Sequence, residues 1–236
     1  CKIREFLAGF DTDPRLFALE SSLLPTSGER SEVLFISVVQ LNEILFSLWC
    51  EGFQRILGYM DDNELGAEVL AVSGRLCQLA QVSVACLALL NDFQHQEFMT
   101  FRQYTANAGA IQSRKYKELE LYTNRRVHER IEQKAFETFP YLKDLSYYSQ
   151  LYVYDRVAEL PHSETVAQLR SDLEHFEKTF LDWKRFHLHI ARTRLLNHGA
   201  PNREHLDQYL ASSIHASFRT DMSTRYRPSQ QESAQP

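Results

Sequence analysis

Between residues 163 and 197 one set of positions recurs at alternating steps of three and four: Val166, Leu169, Leu173, Phe176, Phe180, Trp183, His187 and Ile190. Such steps return to one side of a 3.6-residue turn, so the segment predicts a long helix with a single buried seam. Ser163 stands where an N-cap belongs, Glu164 follows in the first turn, and Gly199-Ala-Pro201 supplies the stop. A chain of 236 residues with only 8 Gly and 7 Pro has few turn formers, which argues against an all-β fold. The expectation is an all-α, single-domain helical bundle over residues 1–225. The polar, proline-containing stretch 226–236 reads as a disordered tail.

Further helices are expected from about Glu32 to Gly58, Asn63 to Phe93, Gln94 to Tyr104, Ile111 to Tyr122, Arg126 to Thr138 and Arg203 to Ser213. Asp61-Asp62-Asn63 reads as a turn able to cap the second of these. Residues 1–32 read as irregular, with Asp13-Pro14 and Pro25-Thr-Ser-Gly28 as turn signals. Pro140 and Pro161 bracket an aromatic stretch, Tyr147 to Tyr154, that reads as a partly buried loop or short helix.

A net charge of −5 with dispersed basic residues argues against a nucleic-acid groove. The Lys115/Lys117 and Arg125/Arg126 clusters read as solvated helix faces. Cys50, Cys77 and Cys86 lie in apolar segments without zinc-ligand spacing, so they read as small buried hydrophobes of a reducing compartment. No uncharged apolar run reaches 18 residues and no signal peptide is evident, so the expectation is a cytoplasmic protein with no membrane span.

His187 replaces an apolar residue on the buried seam, while Asp182, Lys184, Arg185 and Arg192 lie off it. A buried imidazole needs partners for its nitrogens: either ordinary core hydrogen bonds or a metal. His189 lies about 200° further around the helix and faces elsewhere. His175 and His198 are off the seam and read as exposed. A second constellation runs from His95 to Arg102, seven residues and about 10 Å apart on one helix face, with Phe98 and Met99 between. A guanidinium there suits a carboxylate, and an imidazole suits proton transfer. The plainer reading is a surface helix with two unrelated polar residues.

Three segments together resemble the heme-dependent aromatic oxygenase superfamily, to which the tryptophan 2,3-dioxygenases belong. They are Phe35-Ile-Ser-Val-Val39-Gln-Leu-Asn-Glu43; Phe98-x-x-Phe101-Arg102-x-Tyr104 with Ala108, Gln112-Ser113 and Glu120; and Trp183-Lys-Arg-Phe-His187 with Tyr209-Leu210. The resemblance spans roughly residues 32–122 and 163–215. It implies a bundle around heme b, with His187 as the iron ligand and Trp183, Phe35, Val39, Ala108 and Gln112 beside the cofactor. It also implies that Arg102 binds a substrate carboxylate, with Phe98 against the substrate.

This chain departs from the family pattern at two places. Val39 stands where the family has a distal histidine. Gly199-Ala-Pro201-Asn202-Arg203 stands where the family's Gly-Thr-Gly-Gly loop grips the amino-acid head group, leaving Asn202 and Arg203 as replacements. With His95 as an acid–base group, the pattern is similar to the bacterial heme-dependent tyrosine hydroxylases of natural-product pathways. The expected reaction is therefore 3-hydroxylation of L-tyrosine to L-DOPA with hydrogen peroxide. The alternatives are an indole-ring oxygenase acting on tryptophan or a derivative, and a helical interaction module without heme. A homo-oligomer is a further expectation from the resemblance.

Overall fold

The computed structural model describes residues 24–91, 93–105, 113–123, 136–137, 139–143 and 151–195, with 211 and 214; of 102–105, 143 and 194–195 it describes the backbone alone. The described residues are 83% helical and none lies in a strand, so the fold is all-α. The helices are α1 (Arg30–Asp61), α2 (Ala67–Ala88), α3 (His95–Thr105), α4 (Arg114–Thr123), α5 (Val153–Glu159) and α6 (Glu164–Ile190). A short 3-10 turn, Pro140–Lys143, precedes α5, and a π turn, Ala191–Leu195, extends α6.

The start of α1 is built by a side chain inside the helix. The Glu32 carboxylate accepts hydrogen bonds from the Thr26 and Ser27 backbone N–H groups and from both hydroxyls, at 2.5–2.8 Å. Burial raises its pKa, but these bonds outweigh that cost and lower it to about 2. The Pro25-Thr-Ser-Gly28 turn therefore folds back onto the helix it precedes. At the other end Asn63 takes the left-handed conformation, φ 57°, and Glu64 N–H bonds the Tyr59 carbonyl at 2.8 Å. Asn tolerates that conformation better than most residues, and the arrangement closes the helix. The Asp61–Asn63 turn thus ends α1 and does not cap α2, whose N-cap is Gly66. Ser163 caps α6 as the sequence predicts, accepting from Val166 N–H at 3.1 Å.

α2 lies close against both α1 and α6. A Cβ on Gly52 would stand 2.6 Å from Leu76 Cδ2, so glycine permits the α1–α2 approach. The remaining gap, between α1 and α6, is filled by large rings. Phe46 packs on Trp183, Trp49 on Phe180 and Phe176, and Phe53 on Phe176, with centroids 5.2–5.4 Å apart. Ascending numbers on α1 meet descending numbers on α6, so the two helices run antiparallel. α4 closes another side, with Tyr116 on Phe46 and Tyr122 stacked on Phe53. Such ring pairs contribute beyond their buried area, about 0.5–1.5 kcal/mol each.

Two sequence expectations are corrected here. Lys117 is fully buried, not on a solvated face, and every residue from Tyr116 to Thr123 is buried. Lys184, off the seam, is only 3% exposed; its Nζ lies 4.6 Å from the Phe180 ring centroid. Cation–π contact lets an ammonium on a long apolar stem sit against an aromatic core. Cys50 and Cys77 are buried as expected, Cys86 is half-buried, and His175 is exposed. Tyr152, Val153 and Tyr154 are buried, with Val153 opening α5. α1 and α2 are each long and apolar enough to cross a membrane, a property shared by core helices of soluble bundles; here both pack against the rest of the fold. Arg125, Arg126, His198, the stretch 203–210 and the tail 226–236 lie outside the described residues.

Candidate functional site

α6 delivers Trp183 and His187 to the same face, one turn apart, with ring centroids 5.0 Å from each other. Trp183 is 3% exposed. Its Nε1–H donates to Asn42 Oδ1 on α1 at 3.0 Å. The same oxygen accepts from Ser83 Oγ on α2 at 2.8 Å, and Asn42 Nδ2 donates to the Val38 carbonyl at 2.8 Å. One buried amide therefore ties three helices together beneath His187.

His187 itself has no hydrogen-bond partner among the described residues; its ring contact is Trp183. It keeps partial exposure, yet burial lowers its pKa to about 4. At neutral pH it is an uncharged imidazole with a nitrogen lone pair available to a ligand. In the antiparallel register that pairs Trp183 with Asn42 and Phe46, His187 stands one turn on along α6 and Val38 one turn back along α1. Val38 is buried and Val39 half-buried.

One turn after His187 the helix widens into the π turn Ala191–Leu195. Such turns are rare and concentrate at functional sites. α3 packs beside this turn and against α1, so the helix carrying His95 and Arg102 lies at the same end of the bundle as His187. Ser31 Oγ, at the start of α1, donates to the Glu97 carbonyl at 3.3 Å. Phe35 anchors the contact: its ring meets those of Phe93, Phe98 and Phe101 at 5.5–6.2 Å. Phe98 is buried in this cluster, whereas Met99 is 47% exposed. The apolar strip expected between His95 and Arg102 is therefore split, with Phe98 turned to the core and Met99 to solvent. His95 is half-buried at the first position of α3, and Arg102 lies within the same helix. Ala108, Gln112, Asn202 and Arg203 lie outside the described residues.

Sequence reasoning passed over several polar groups. Asn42 carries the signature that exposed His187, a polar residue on an apolar helix stripe, but reads as part of a longer motif. Ser83 is small and unremarkable in sequence. Around α4 the charged residues Lys117, Glu118 and Glu120 are buried, and Glu43 of α1 is half-buried. Burial raises the Glu43 pKa against hydrogen bonding to Ser113 and the nearby Lys117 and Lys115 charges. Glu177 on α6 is pushed up to about 8 by burial and by Glu174, against the pull of Lys184. No known protein-family profile matches this chain, and no curated protein is significantly similar to it.

Proposed function

We propose that this protein binds heme b through His187 and oxidises a small aromatic amino acid, most specifically L-tyrosine to L-DOPA with hydrogen peroxide. The observation that carries the reading is the His187 imidazole: half-buried, neutral, without a hydrogen-bond partner among the described residues, and one turn before a π turn. Its surroundings suit a porphyrin better than a bare ion. Among the described residues no three His, Cys, Asp or Glu side chains gather into a cage. A porphyrin brings four nitrogens of its own and would ask the protein for one imidazole ligand and apolar surroundings. Val39 and Phe35 are of the right character for those surroundings.

The heme would supply the redox chemistry that activates peroxide. One peroxide oxygen enters the ring carbon next to the phenol hydroxyl and the other leaves as water, so tyrosine and peroxide yield L-DOPA and water. The chain's own residues bind and move protons. Arg102, on α3 beside the π turn, is assigned the substrate carboxylate through its planar guanidinium. His95, at the start of the same helix, is assigned the proton of the incoming peroxide, held at a ring nitrogen and returned to the departing oxygen. Trp183 packs against His187 from the protein side.

The test is the absorption spectrum of the hemin-loaded protein titrated with L-tyrosine and then L-tryptophan, followed by peroxide and quantification of L-DOPA. A Soret shift with tyrosine and a catechol product support the proposal. A shift with tryptophan alone transfers it to an indole-ring oxygenase. Arg102→Ala is expected to weaken tyrosine binding by about 2–4 kcal/mol; unchanged binding would remove Arg102 from the carboxylate role.

A further inference from the structure

We infer that Asn42 is a positioning residue for His187, acting through Trp183; this rests on the heme reading above and adds to it a device that fixes the ligand's ring. A ligating histidine is ordinarily oriented by a hydrogen bond from its second nitrogen. Among the described residues His187 has no such partner, and the ring it packs on is that of Trp183, at 5.0 Å. Trp183 is in turn held at its polar tip by Asn42 and at its edge by Phe46, in T-shaped contact at 5.4 Å.

The chemistry of position 42 is specific. Indole N–H can only donate, and the Val38 carbonyl can only accept, so the amide must present Oδ1 to Trp183 and Nδ2 to Val38. Both lone pairs of Oδ1 are used, one by Trp183 and one by Ser83 at 2.8 Å. Leucine would offer neither group, and aspartate would add a charge at a site 6% exposed. Because Asn42 sits on α1 and Trp183 on α6, their bond is the brace: it fixes the indole of one helix to the amide of another. His187 is thereby held at a fixed tilt of 53° to the indole.

The experiment compares wild type with Asn42→Leu, Trp183→Phe and Ser83→Ala. Trp183→Phe keeps an aromatic ring beside His187 while deleting the N–H, and serves if Asn42→Leu fails to fold. Ser83→Ala removes a hydrogen bond from the same amide without releasing Trp183. Two quantities are read: the rate at which bound hemin transfers to excess apomyoglobin, and the side-chain ¹⁵N resonances of His187 in the heme-free protein, assigned with His187→Ala. Hemin transfer is expected to quicken by about 10- to 100-fold in Asn42→Leu and Trp183→Phe and to stay unchanged in Ser83→Ala. The His187 resonances are expected to move in the first two variants only. Equal transfer rates in Asn42→Leu and Ser83→Ala would overturn the brace while leaving the heme reading intact. Failure of wild type to take up hemin would defeat the heme reading; the resonances then decide alone, their displacement upholding the brace and their constancy overturning it.

Discussion

Glu177→Gln is expected to flatten the alkaline side of this protein's stability profile. Glu177 is half-buried on α6, and burial, with Glu174 next and Lys184 opposing, raises its pKa from 4.5 to about 8. A carboxyl that holds its proton more tightly in the native state than in the unfolded chain contributes stability that is complete below pH 4.5. That contribution is lost as pH rises through 8. The full shift would correspond to about 5 kcal/mol. Solvent reaches part of the side chain, and screening reduces the effect to about 2 kcal/mol between pH 5 and pH 9. Urea denaturation of wild type and Glu177→Gln at both pH values measures it. The difference between the two proteins cancels the titration of groups not coupled to Glu177, His187 included. Wild type should lose about 2 kcal/mol more than the variant on going to pH 9. Parallel losses in the two proteins would refute the argument that Glu177 is desolvated beside Glu174.

The acid side is governed in the opposite sense by His187. Its pKa is lowered from 6.5 to about 4 by burial, so it contributes stability above pH 6.5 that is lost as pH falls through 4. His187→Leu should lose less stability than wild type, by about 2–3 kcal/mol, between pH 7 and pH 4, measured by urea denaturation of the heme-free proteins; equal losses would mean that the ring is solvated. Gly52→Ala should destabilise the fold by about 1–3 kcal/mol in the same assay, because its Cβ would press on Leu76, itself 1% exposed. A stability gain, as expected at an open helical glycine, would show that the α1–α2 approach is looser than the geometry describes.

The seam of α6 is legible in the sequence because one of its faces meets the core and the rest meets water, which is what a 3.6-residue period reports. His187 stands out against that period, and Ser163 announces the cap. α4 has no such contrast. Its sequence Arg114-Lys-Tyr-Lys-Glu-Leu-Glu-Leu-Tyr-Thr123 reads as an amphipathic surface helix, yet from Tyr116 onward it is buried on every side. Hydrophobic periodicity separates inside from outside only where a helix has an outside; charges enclosed by other charges and rings leave no trace in it. Lys184 escaped notice for the same reason, since its long apolar stem lies under an ammonium seated on the Phe180 ring. Between Phe98 and Met99 the rotation of about 100° per residue decides which side chain enters the aromatic cluster, and that direction is fixed by Phe35 on another helix. The Asn42–Trp183 bond joins residues 141 positions apart, so its polar groups appear in sequence as two separate anomalies with nothing to link them.

The central claim is that the His187 nitrogen binds heme iron, and the most direct measurement is a hemin titration of the heme-free protein followed at the Soret band, run beside His187→Ala and His189→Ala. The account predicts a saturable Soret band at one hemin per chain in wild type and in His189→Ala. In His187→Ala it predicts a lost or weakened band, recovered in part by added imidazole. Equal hemin binding and identical spectra in wild type and His187→Ala, or no band in wild type, would contradict it.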